Sequence, residues 1–274
     1  MSNRLEGPII PEVSQVTNRA ATAGLGAPDA ARQAAVVAAL AGTIAVNALA
    51  NILPLNGQTT GEISDRFPVL ITPPGYVFGI WGVIYTGLIA YAVYQALPAR
   101  RDDERLRRIA WPFVASCAAN VLWLLLWHYN QYALTLGAMV GVLLALITID
   151  RRLGAMREAG WVERLLVRLP FSVYLGWISV ATIVNATVVL YDAGWDGAGL
   201  SDEAWTAGLI GVGAGLGVAQ GAGRGIAGFP LVLAWAFSGV AIKNAGSPLV
   251  AGSAWAAVGL ALASAVAAIV RGRR

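Results

Sequence analysis

Several of the residue types on which soluble chemistry depends are nearly missing from this chain. Its 274 residues include one cysteine, Cys117, one histidine, His128, and one lysine, Lys243. A single cysteine excludes an intrachain disulfide, and a single histidine excludes a multi-histidine metal site. Charged residues make up 12% of the chain against 57% hydrophobic ones, and mean hydropathy is +0.65. That is too apolar for a soluble domain. Acids are absent from every long apolar run. Proton- and sodium-coupled carriers usually keep an intramembrane Asp or Glu, and metal-dependent membrane enzymes need clustered His or carboxylates, so both classes are disfavoured. There is no phosphate-cradling glycine loop on a strand and no nucleophile, base and orienter set, so no residue is assigned a catalytic or metal-binding role. The net charge of +4 is almost entirely arginine and reads as membrane topology, not nucleic-acid binding.

What is present is a series of charge-free runs of about 18–23 residues, the length a helix needs to cross roughly 30 Å of hydrocarbon. Barrel strands would alternate in polarity, and these runs do not. The expectation is an all-α integral membrane protein with about eight transmembrane helices, over residues 34–53, 73–97, 110–127, 133–149, 168–191, 205–221, 227–242 and 249–270. Residues 1–33 are polar, broken by Gly and Pro, and lack the continuous apolar core of a secretory signal, so they are expected to form a mostly disordered cytoplasmic tail. The loop 53–74 is long enough to fold over something. Short cytoplasmic loops collect Lys and Arg. With the N-terminal tail inside, 17 of the 19 basic residues fall on inside segments and 2 outside, which predicts that both termini are cytoplasmic.

Polar and aromatic side chains recur on single helix faces. In the fifth span Trp177, Ala181 and Asn185 stand four residues apart and fall within about 80° of one another. An unpartnered amide near mid-membrane costs on the order of several kcal/mol, so that face must look at other helices or at a ligand. Phe78, Trp81 and Tyr85 share a face of the second span, and Ser116, Asn120, Trp123 and Trp127 form a stripe on the third. Asn47 and Asn51, one turn apart, suggest interhelical hydrogen bonds, and the glycines at 211, 213, 215, 217 and 221 suggest close helix approach. The segment WHYNQY, 127–132, reads as an interfacial aromatic belt, which makes His128 an interfacial residue, and Lys243 reads as a snorkelling lysine. Helix packing alone would explain each stripe as well as a ligand pocket does.

Three segments together resemble the translocator protein family, also called tryptophan-rich sensory proteins or TspO. They are PPGYVFGIWGVIY at 73–85, NVLW at 120–123, and Pro170-Phe171 followed by WISVATIVN at 177–185. The resemblance covers about residues 34–193. It implies a five-helix bundle with a pocket, beneath the loop between the first two spans, for tetrapyrroles such as protoporphyrin and in some members sterols. Carried to matching positions, it implies ligand contacts by Trp81, Tyr85, Asn120, Trp123, Trp177, Ala181 and Asn185. The expected organisation is a tail (1–33), a TspO-like bundle (34–193) and three additional C-terminal helices (194–274). Expected partners are the bilayer, a planar hydrophobic ligand and, as an option, a second copy of the chain; nucleic acid is not expected. Binding for sensing or transport leads the functional readings, ahead of an uncoupled permease and an enzyme acting on a bound pigment or lipid. The expected location is a prokaryotic plasma membrane.

Overall fold

The computed structural model describes residues 12–154, 160–224 and 226–272. It is 86% helical, with no strand among the described residues, which removes a barrel from consideration. The helices are α1 Glu12–Ile52, α2 Thr60–Asp65, α3 Ile80–Ala96, α4 Glu104–His128, α5 Tyr132–Gly154, α6 Trp161–Glu163, α7 Leu169–Asp192, α8 Asp202–Arg224, α9 Gly228–Lys243 and α10 Pro248–Gly272. A single turn of 3₁₀ helix, Gly75–Gly79, leads into α3. The wide π turn Arg164–Arg168 joins α6 to α7 directly before Pro170. A proline ring crowds the carbonyl four residues back, and a widened turn relieves that crowding.

Six helices are long and apolar enough to cross a membrane, over residues 29–52, 75–96, 104–128, 132–154, 161–192 and 248–271. The chain is therefore an integral membrane protein. The helix α9 is also apolar but has only 16 residues, and the glycine-rich α8 is not among the six. Most of α9 is buried by α7, α8 and α10, and a helix that is apolar all round belongs inside a bundle. One expectation for the N-terminal segment is corrected. The helix α1 begins at Glu12, within the stretch expected to lack fixed structure, where alanine is frequent enough to carry a helix across single Gly residues. Residues 1–11 lie outside the described residues.

The helices run between two chemically distinct ends. At the basic end, Asp29 of α1 accepts from Arg107 of α4 and from Arg32, and Arg32 donates to the Arg101 carbonyl at 2.9 Å. Gln33 and Gln95 each donate to the other's backbone carbonyl, joining α1 to α3. Glu163 pairs with Arg105. The opposite end carries the loop 53–74 and is called the loop end below.

Glycines set the spacing of the C-terminal helices. A Cβ built on Gly221 of α8 would sit 2.8 Å from Ser264 Cβ and 2.9 Å from the Ser264 carbonyl oxygen of α10. Gly213 and Gly217 turn the same way, toward Phe237 and Leu233 of α9, whereas Gly211 and Gly215 face open space. Only one side of the glycine run is therefore a packing surface. Gly221→Ala is expected to destabilise the protein by about 1–3 kcal/mol, because the obstacle includes α10 backbone. Gly211→Ala should be neutral or slightly stabilising, since it adds helix propensity in open space. Unfolding in mixed detergent micelles tests the pair, and equal effects of the two changes would contradict this packing.

Candidate functional site

The sequence that makes each stripe also places it. Helical spacing brings Trp81 of α3, Asn120 and Trp123 of α4, and Trp177, Ala181 and Asn185 of α7 to line one interior cavity. Its open space is about 70 Å³, room for a few water molecules at about 10–15 Å³ each. Trp81, Trp123, Phe78 and Thr60 also border a larger cleft of about 580 Å³, inside the range of about 300–1,000 Å³ usual for small-molecule sites. Tyr85 lines this cleft and not the cavity, stacked on Trp81 with ring centroids 5.3 Å apart. Asn47, Asn51 and Asp65 supply polar groups to the cleft wall.

Edge-to-face contacts hold the aromatic walls. Trp177 meets Phe78 at 5.6 Å and Trp81 at 6.4 Å, with interplanar angles of 83° and 80°. Trp123 stacks on Trp127 at 5.5 Å. Such pairs contribute about 0.5–1.5 kcal/mol each beyond the area they bury and fix ring orientation. The amides are oriented in the same way. Asn47 donates to the Asn120 side-chain oxygen at 3.0 Å, and Asn120 donates to the Tyr174 hydroxyl at 3.5 Å, crossing α1, α4 and α7. Asn185 donates to the Thr135 hydroxyl of α5 at 2.9 Å. Asn51 donates within its own helix, to the Asn47 carbonyl at 2.9 Å, and has no interhelical bond among the described residues.

Four polar atoms on these walls are buried with no hydrogen-bond partner among the described residues. They are the indole N–H groups of Trp123 and Trp177, the Asn185 side-chain oxygen and the Tyr85 hydroxyl. A buried polar group without a partner costs about 1–3 kcal/mol, and a ligand or water with matching groups recovers that loss.

The loop 53–74 forms the roof, and side chains at the loop end donate to its carbonyls and to one in the 3₁₀ turn that follows it. The Trp127 indole donates to the Thr60 carbonyl at 3.3 Å, Asn244 to Leu70 at 2.9 Å, Lys243 to Thr72 at 3.0 Å, and Trp235 to Val77 at 3.0 Å. In return, Asn56 and Gln58 donate to the His128 carbonyl, and Arg66 donates to Gln58 and Asn130. Asn130 adopts a left-handed backbone conformation, φ 57°, at the α4–α5 turn. Gly239 of α9 lies so close to the 3₁₀ turn Gly75–Gly79 that a Cβ there would clash with Val77 Cγ2.

Two sequence expectations change. His128 is fully buried rather than interfacial, its Nδ1 2.8 Å from the Leu124 carbonyl and its Nε2 3.4 Å from Thr60 Oγ1. Since a carbonyl only accepts, Nδ1 carries the proton in that bond. Trp127 and Tyr132 are buried with it, because the roof covers the segment that reads as an interfacial belt, while Tyr129, Asn130 and Gln131 are exposed. Lys243 caps a loop carbonyl where snorkelling alone was expected. Sequence reasoning also missed Thr60, Ser64 and Pro73 in the roof, Met139 and Val142 of α5 in the cavity wall, and Tyr174. Tyr174 had a usable signal, three residues before Trp177; Met139 and Val142 look like lipid-facing residues.

Comparison with known proteins adds one match. The family model described as TSPO-like protein matches residues 33–268, a span that includes α8, α9 and most of α10 along with the motif-bearing helices. No curated protein and no solved structure matches the chain.

The short helix α2 gives the roof a pH dependence. The Thr59 backbone N–H donates to the Glu62 carboxylate at 2.7 Å and the Thr59 hydroxyl at 2.9 Å, while the Glu62 N–H donates back to that hydroxyl at 3.3 Å, a reciprocal cap. These bonds, the backbone one foremost, hold the Glu62 carboxyl below its ordinary value of 4.5. The cap therefore stabilises α2 fully above that value and loses its effect as pH falls through the lowered one. Hydrogen-exchange protection of amides 60–65 should fall below pH 4.5, and Glu62→Gln should flatten that pH dependence. Protection that stays constant down to pH 3 would remove the role given to Glu62.

Proposed function

The chain belongs to the TSPO-like protein family, and from that premise we propose that it binds a planar hydrophobic ligand, a tetrapyrrole such as protoporphyrin or a sterol-like molecule. The site is the cleft between α1 and α3 together with the aromatic cavity behind it. The observation that carries this reading is the convergence of aromatic side chains, four of whose neighbouring or own polar groups are buried and unpartnered among the described residues, around a cavity and a cleft that share Thr60, Phe78, Trp81 and Trp123 as walls. Flat aromatic faces suit a flat macrocycle, and the few polar groups would fix its orientation. Ala181 leaves room in the deep part, and Trp81, Tyr85 and Trp123 form the walls nearer the opening.

The proposed topology has eight spans, α8 and α9 included, with both termini and the basic end on the cytoplasmic side of a prokaryotic plasma membrane. The arginine distribution supports it, since the loop end carries only Arg66 and Lys243. In this arrangement residues 34–193 hold the ligand, and residues 194–274 brace the roof through α9. Holding the ligand for sensing or for transport needs no buried acid, in keeping with acid-free spans.

Protoporphyrin titrated into the detergent-purified protein should quench tryptophan fluorescence saturably. Ala181→Phe, which fills the deep cavity, and Trp177→Leu, which removes a wall, should each weaken binding by roughly tenfold or more, about 1.4 kcal/mol. Absence of saturable binding by any tetrapyrrole or sterol would defeat the proposal. Flux of the ligand into proteoliposomes would assign transport, and tight binding without flux would assign sensing.

A further inference from the structure

A separate cavity of about 270 Å³ opens at the loop end, between the end of α7, the start of α8 and the roof. Tyr191, Trp195 and Trp205 line it, together with Asp202 in the first turn of α8. Trp195 and Trp205 meet with centroids 4.8 Å apart at 68°, so the rings make two sides of a corner and not a stack. Tyr191 is held edge-on to Phe67 at 6.1 Å and 88°. The roof side is fixed as well, because Leu70, which also lines the cavity, accepts at its carbonyl from Asn244.

Among the residues lining this cavity the one charged side chain is the carboxylate of Asp202. Residues 169–223 contain no lysine or arginine, and their four acids, Asp192, Asp196, Asp202 and Glu203, all lie within 192–203. No cationic side chain is among the residues lining the cavity. An anion would meet a carboxylate with no cation among the lining residues; the cations of the loop end, Arg66 and Lys243, are engaged with roof partners. Aromatic faces carry the negative part of the ring quadrupole and attract a cation within about 6 Å, most effectively when the cation is weakly hydrated and shaped to fill the corner. Tryptophan and tyrosine gather at membrane interfaces whatever the function. Here, however, they border open space beside a carboxylate, and the Trp205 indole N–H is buried with no partner among the described residues. That donor suits an oxygen carried by the same cation.

We infer that this cavity binds an alkylated ammonium group bearing a nearby oxygen, either the headgroup of a choline-type lipid or a free choline-like solute. The ammonium sits against Tyr191, Trp195 and Trp205, with Asp202 as its counter-charge. This site shares no wall with the α1–α3 cleft and does not depend on what that cleft binds.

The test uses the full chain labelled with 5-fluorotryptophan, in maltoside micelles free of choline lipid, with the Trp195 and Trp205 fluorine resonances assigned through Trp195→Phe and Trp205→Phe. Choline should shift both resonances saturably, while its uncharged isostere 3,3-dimethylbutanol should not. Asp202→Asn should raise the apparent Kd at least fivefold, and Asp202→Glu should restore part of the loss. Shifts that grow linearly with choline, equal shifts with the isostere, or an unchanged Kd in Asp202→Asn would each overturn the assignment. Bilayer discs distinguish the two sources. If discs of choline lipid alone bring the resonances to the bound position, the headgroup is the ligand; if discs of choline and of glycerol lipid both need added choline, the solute is. Either result supports the site, and no shift under any of these conditions refutes it.

Discussion

Backbone polar groups buried near hydrocarbon must be met inside the protein, and the loop between α1 and α3 is where this chain meets that demand without a helix. Helices satisfy their own carbonyls; an irregular roof does not. Two irregular roof carbonyls, at Leu70 and Thr72, receive donors from Asn244 and Lys243 at the C-terminal end of α9, while Trp127 and Trp235 donate to the Thr60 and Val77 carbonyls in the helical turns on either side. The single lysine of the chain is thus used as a donor to backbone. This dependence gives the C-terminal helices a mechanical role: α9 reaches the roof because α8 and α10 hold it against α7. Its short length follows from the same position, since a helix enclosed by others need not match the full bilayer thickness.

Below the roof, order comes from side chains that constrain one another. Trp177 meets Phe78 and Trp81 edge to face, Trp81 stacks on Tyr85, and Asn120 is oriented from two directions by Asn47 and Tyr174. Fully satisfied, such a network only rigidifies a core. Here Trp123, Trp177, Tyr85 and Asn185 each retain one buried group with no partner among the described residues. Those are the groups that a ligand in the proposed pocket would have to meet.

The parts of this arrangement legible in the sequence are those written in helical period. Trp177, Ala181 and Asn185 at four-residue spacing, and Asn120 with Trp123, project from their helices into the same space because the backbone rotates 100° per residue. The order of the long helices was legible for the same reason. The loop was expected over a pocket from its length and the family resemblance, but which of its residues line the cavity was not legible, because tertiary bonds and not a local repeat bring them there. His128 shows the difficulty: WHYNQY has the composition of an interfacial belt, and only the docking of Gln58 and Thr60 buries it. The contribution of α5 was equally silent, since Met139 facing a cavity and Met139 facing lipid are written alike.

How a ligand would reach the proposed pocket follows from which contacts are anchored. On one side the roof is tied to Lys243 and Asn244 at the end of α9 by two hydrogen bonds, with a third from Trp235 to the 3₁₀ turn that follows it, and over the α4–α5 turn it is tied through Gln58, Arg66 and Asn130. Lifting it would break these together. Between α1 and α3 the situation differs: their reciprocal bonds, through Gln33 and Gln95, lie at the basic end, and towards the loop end the two helices border the 580 Å³ cleft. The polar tie from α1 to the rest of the site at that level is Asn47 with Asn120, worth on the order of 1 kcal/mol in a membrane setting. The route that disrupts the fewest bonds therefore runs sideways from the bilayer between α1 and α3. A hydrophobic ligand already dissolved in lipid would take this route without crossing water.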